Sequence, residues 1–136
     1  MRRILGLIAL LALTSCTATK TETDADIRSD LRSALSLALE TNLFIRQIDG
    51  GRVLAQFQAA HAGYLSEEAR RQLKKVRESE KGTKEAGKSA LCTEQLEMLS
   101  GELELIGTRT DHGTLAEAER QVEIISKKLI DAGAGR

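Results

Sequence analysis

Residues 24–48, DADIRSDLRSALSLALETNLFIRQI, decide the fold. Ile27, Leu31, Ala34, Leu35, Leu37, Ala38, Leu39, Leu43, Phe44, Ile45 and Ile48 cover most of the girth of a helix. Only a narrow polar stripe through Ser29, Ser33, Ser36, Glu40 and Gln47 is left. A helix apolar round so much of its circumference must be covered by several neighbours, so it is expected at the centre of a helical bundle. Thr23-Asp24-Ala25-Asp26 offers capping oxygens and first-turn carboxylates at its start, and Asp49-Gly50-Gly51 a helix exit.

Working outward, Leu54, Phe57, His61, Leu65, Ala69, Leu73 and Val76 predict a second helix beginning near Arg52 with these residues on its core face. Gly63, and Ser66-Glu67-Glu68 as a fresh start, leave open one kinked helix or two. Gly82 and Gly87 mark a turn. A third helix then runs from about Lys88 to Ile106 with Cys92, Leu96, Leu99, Leu103 and Ile106 at alternating steps of four and three. Gly107 to Gly113 reads as a loop, and Thr114-Leu115-Ala116-Glu117 as the capping box of a last helix. That helix carries Leu115, Ala118, Val122, Ile125 and Leu129 on one face, with Gly133 to Arg136 fraying from its end. Short connections between four helices imply an antiparallel up-down bundle over residues 24–133.

Composition agrees with an all-α class. The chain has no proline or tryptophan, and its aromatic residues are Phe44, Phe57 and Tyr64 alone. Net charge is zero, which gives no electrostatic footprint for nucleic acid.

The residues before the first helix carry an address. Arg2 and Arg3 form a positive start, Ile4 to Leu13 an apolar run, and small residues follow, the layout of a cleaved secretory signal. The run is about half the ~20 residues a membrane-spanning helix needs. Leu13-Thr14-Ser15-Cys16 resembles the lipobox of bacterial lipoproteins. The resemblance implies that residues 1–15 are removed, that Cys16 receives diacylglycerol and an amide-linked acyl chain such as palmitate, and that residues 16–23 form a lipidated tether. Three acyl chains would make the anchoring lasting. Thr17, where an aspartate would retain a Gram-negative lipoprotein on the inner membrane, implies the periplasmic face of the outer membrane. Seven extended residues, Thr17 to Thr23, span at most about 25 Å, which would keep the folded part close to its membrane.

Residues able to carry chemistry are few. His61 has Tyr64 one turn away but no nucleophile or carboxylate at catalytic spacing, and Asp111-His112 reads as a solvated loop pair. No histidine or cysteine stands at metal-ligand spacing, so no metal, cofactor or enzymatic activity is expected. Cys92, left alone once Cys16 is lipidated, falls on a core seam and is expected to be a buried thiol.

The most distinctive surface pattern is basic. Arg70, Lys74, Arg77, Lys81, Lys84 and Lys88 recur by four and three, a stripe suited to anionic lipid or an acidic protein if one helix carried it all. Interleaved Glu67, Glu68, Glu78, Glu80 and Glu85 offer local ion pairs that make it a solvated face instead. Carboxylates cluster later, at Glu94, Glu97, Glu102, Glu104, Glu117, Glu119 and Glu123; the two halves either face each other or each faces a partner. The expectation is a non-catalytic envelope lipoprotein that binds a protein partner as adaptor, assembly factor or inhibitor. The alternative is a membrane-surface or exclusion-type lipoprotein acting through the basic stripe, and self-association through uncovered apolar surface on the first helix is a further possibility. The plan is similar to that of secretin pilotins and of exclusion or inhibitor lipoproteins, although no motif of the mature region matches them.

Overall fold

The computed structural model describes residues 21–22, 24–81, 85–109 and 111–135. The long apolar stretch forms α1, Asp24–Asp49, which starts on Asp24 and Asp26 as its acidic first turn and ends where Gly51 takes a φ of 65°. Ile27, Leu31, Ala34, Ala38, Thr41, Ile45 and Ile48 lie buried along one line at steps of four and three. Leu39 and Leu43, which belong to the same apolar set in the sequence, instead stand on the solvent side, 53% and 58% exposed.

Three further helices follow: α2 is Ala55–Glu78, α3 is Ala86–Ile106 and α4 is His112–Leu129, closed by a wide π-helical turn over Ile130–Ala134. The result is the expected small all-α bundle. Its antiparallel course is visible in the contacts between helix ends. Lys75 near the end of α2 meets Asp30 near the start of α1, and the first residue of α4, His112, meets the last of α1, Asp49. The most extensive packing is α2 on α3 and α1 on α4. One short ladder adds to the helices: β1, Thr21–Glu22, pairs in parallel with β2, Glu80–Lys81. The chain therefore enters at the end of the bundle where α2 gives way to α3.

Several boundaries differ from the sequence reading for identifiable reasons. The second helix starts at Ala55, not Arg52, and runs unbroken through Gly63. Ser66 caps nothing; it is buried, with its hydroxyl 3.2 Å from that of Ser100 on α3. α3 begins at Ala86, two residues early. α4 is capped by Asp111, whose carboxylate accepts the Thr114 N–H at 2.8 Å, so Thr114 lies inside the helix. Ala134 is buried against the core, in a segment the sequence reads as fraying.

The largest correction concerns the rotation of α2. Its buried line is Gln58, Ala62, Leu65, Ser66, Ala69 and Val76, so Leu54 and Phe57 face out at 68% and 66% exposed. The reason lies at the end of α3. Buried Gln58 donates from Nε2 to the carbonyls of Ile106, at 2.5 Å, and Arg109, at 2.8 Å, which satisfies acceptors that the helix end leaves without a partner. One turn on, a β-carbon on Gly107 would sit 3.2 Å from Ala62 Cβ, so the backbones approach too closely there for a large side chain on either.

The α3 and α4 seams match the sequence reading: Cys92, Leu96, Leu99, Leu103 and Ile106, and Leu115, Ala118, Val122, Ile125 and Leu129, are all buried. α3 also buries Ser89, Gln95 and Ser100, and neither amide atom of Gln95 has a hydrogen-bond partner among the described residues.

Replacing Gln58 by alanine should cost about 1–3 kcal/mol, because two carbonyls at the end of α3 lose their donor. Leu43→Ala, at an exposed position, should fall within about 0.5 kcal/mol of the parent. Urea unfolding of both variants followed by circular dichroism checks the contrast.

Candidate functional site

All three aromatic residues of the chain meet where the second half of α1 faces the first half of α2. Phe44, buried, forms the floor. The His61 ring stands edge-on to it at 4.6 Å between centroids, and Tyr64 stacks beside His61 at 6.1 Å. Phe57 and Leu54 continue the surface toward the α1–α2 turn, and together with Val53, Gln47 and Arg52 they enclose an open groove of about 390 Å³. Leu39 and Leu43 add apolar surface on successive turns of α1. Exposed apolar surface of this kind on a small domain commonly marks an interaction surface.

The face carries two charges at its ends. Glu40 lies 3.8 Å from His61 Nε2 at one end. Arg52 lies at the other end, beside Val53 and Leu54, and among the described residues it has no ion-pair partner. Leu54 is also the N-cap of α2 and makes no side-chain capping bond.

The residues singled out from sequence fall as follows. Cys16 and Lys84 lie outside the described residues. Arg70, Lys74 and Arg77 are on α2, Lys81 is in β2 and Lys88 is on α3, so no single helix bears the stripe. Four of its cations also face carboxylates: Arg70 pairs with Glu104 and Arg77 with Glu97, both on α3. Lys74 lies 3.7 Å from Glu78, and Lys88 lies 3.6 Å from Asp24 and 3.3 Å from Glu85. On the other side of the bundle Arg46 of α1 meets Glu119 at 2.6 Å and Glu123 at 3.3 Å on α4, and hydrogen bonding and attraction from Glu119 hold the guanidinium pKa above its usual value. Opposite charges of neighbouring helices thus face each other. Exposed pairs of this kind set helix order more than they add stability.

Asp111 and His112 are occupied structurally. The Thr114 N–H holds the Asp111 carboxyl below the usual aspartate range, and His112 Nδ1 lies 2.5 Å from Asp49 Oδ1. Among the described residues no three potential metal ligands come together, and no helix is long and apolar enough to cross a membrane. Sequence periodicity missed the aromatic face by assigning Phe57 to the core. The available signal was the confinement of every aromatic residue to positions 44–64, on either side of one turn. Comparison with models of known protein families, with curated proteins and with solved structures finds no match.

A shallow acidic surface between α3 and α4 yields a test of the electrostatics. Burial, reinforced by repulsion from Glu117, raises the pKa of half-buried Glu102 above the usual glutamate value. Its ionised form is therefore penalised by folding. That penalty is absent below the ordinary glutamate pKa and complete once the pH exceeds the raised one. Glu102→Gln should raise the thermal midpoint at pH 7, and the gain should vanish as the pH is lowered past the ordinary glutamate value.

Proposed function

We propose that this chain is a non-catalytic, lipid-anchored lipoprotein of the cell envelope, held through Cys16 at the periplasmic face of the outer membrane, which works by binding protein as an adaptor, assembly factor or inhibitor. The observation that carries the binding half of this reading is the aromatic face over α1 and α2, where Leu54, Phe57 and Tyr64 are each more than half exposed. Aromatic side chains supply large contact area at low entropic cost and are enriched in protein interfaces. The anchoring half rests on the lipobox-like Leu13-Thr14-Ser15-Cys16.

The two halves fit together spatially. The chain enters the bundle at the start of α1, whereas the face covers its second half, roughly 25–35 Å along the helix. A lipid anchor at the first end leaves the aromatic end free to meet another protein. The alternative, a membrane-surface protein using the basic stripe on anionic lipid, has less support, since Arg70, Lys74, Arg77 and Lys88 each face a carboxylate.

Two measurements test the halves separately. A benzophenone side chain in place of Phe57 in the full-length chain, irradiated in the native envelope, should give protein adducts; adducts with lipid alone would overturn the protein-binding reading. Cys16→Ser should leave the signal uncleaved and abolish fatty-acid labelling, whereas normal maturation of that variant would contradict lipid anchoring.

A further inference from the structure

The ends of the aromatic face are charged in opposite senses, and the apolar residues lie between them. Glu40 stands beside His61 at one end, Arg52 beside Val53 and Leu54 at the other, with Phe44 and Phe57 between them. From Glu40 to the end of α1 the helix rises about 14 Å, and Arg52 lies just beyond. A two-fold axis in the plane of such a face, crossing its long direction at the middle, brings each end onto the opposite end of the other copy. Arg52 of each copy then meets Glu40 of its mate, and the apolar centres stack on one another. Isologous interfaces have this property: residue i of one copy meets j of the other, and j meets i.

The cation that borders the groove is informative. Most charges near the bundle surface are answered within the chain, as Arg46 is by Glu119 and Glu123. Arg52 has no such partner among the described residues, and the only ion-pair partner of Glu40 among them is a histidine at 3.8 Å. The apolar area is also of the right order. Standard interfaces bury roughly 800 Å² per partner, a little over half of it apolar. Leu39, Leu43, Leu54, Phe57 and Tyr64, each more than half exposed, supply apolar surface on that scale.

We infer that the α1–α2 aromatic face is the interface of a symmetric dimer, with a second copy of this chain as its occupant and two Glu40–Arg52 pairs flanking the apolar centre. This rests on the proposed reading of the face as a protein-docking surface and names the protein it docks.

The register makes a demanding prediction. In a pair of Arg52→Glu copies, both flanking contacts oppose two glutamates; in a pair of Glu40→Arg copies, both oppose two arginines. A mixed pair of one Arg52→Glu copy and one Glu40→Arg copy restores opposite charges at both contacts. Full-length chains carrying the benzophenone at position 57 and one of two epitope tags are expressed together in the native envelope and irradiated. Parent copies should give an adduct of twice the chain mass bearing both tags. Each variant expressed with itself should lose about tenfold in yield, since like charges replace opposite ones twice per interface. The two variants expressed together should recover to within about twofold of the parent, which also excludes misfolding as the cause of either loss.

A dimer adduct insensitive to both substitutions, or no recovery in the mixed pair, would overturn the proposed interface. Adducts joining one tagged chain to a foreign protein would overturn it while leaving the protein-docking reading intact. Adducts with lipid alone would remove both.

Discussion

The amide of Gln58 donates to the carbonyls of Ile106 and Arg109 where α3 ends. A helix leaves its last carbonyls without partners inside itself, and α3 has no basic residue in its last turn to answer them. Closing that end from α2 places Gln58 inward, and helical geometry then leaves little choice for its neighbours. Ala62 follows one turn later against Gly107, where only a small side chain fits. Phe57 and His61, one position back from each, are turned toward the outside and toward α1. The aromatic face is thus a consequence of how one helix end is satisfied.

This explains which parts of the structure were legible in the sequence. The α3 and α4 seams could be read directly because large aliphatic residues alternate with charged ones along them, and only one rotation buries Leu96, Leu99 and Leu103 or Val122, Ile125 and Leu129. On α2 the sequence reading and the structure agree on Leu65, Ala69 and Val76 and differ at the start of the helix. One rotation there buries Leu54, Phe57 and His61 and the other Gln58 and Ala62, and hydrophobic periodicity favours the first. The second prevails because unpaired carbonyls at a buried helix end are expensive and because the backbones approach closely at Gly107. Neither term is visible without the partner helix. The N-cap of α4 is similar: Thr114 to Glu117 matches a capping box, but Asp111 three residues earlier holds the helix start.

Electrostatics then refine the packing order. Arg70 with Glu104, Arg77 with Glu97 and Arg46 with Glu119 lie across neighbouring helices, so the apparent division into a basic and an acidic half becomes complementarity inside one molecule. A regular run of basic positions was readable, but its continuity was not, since α2 ends at Glu78 and Lys88 belongs to α3. Arg52, like Lys127 and Lys128, has no ion pair among the described residues, and it is the one of these that borders the aromatic groove. Every α-helix buries at least one polar residue, and Gln95 of α3 differs from buried Gln58 in that neither of its amide atoms has a partner among the described residues.

The claim on which these inferences depend is that the fold leaves the aromatic face bare so that another protein can cover it. Hydroxyl-radical footprinting of the full-length chain, in its native envelope and after dilution in detergent, reads that directly from side-chain oxidation. We expect Leu54, Phe57 and Tyr64 to be oxidised readily when diluted and to lose most of that reactivity in the envelope, while exposed Leu105 on the opposite side of the bundle reacts alike in both. Equal reactivity of the aromatic face in the two states would contradict the claim, as would envelope protection confined to the basic segment from Arg70 to Lys88.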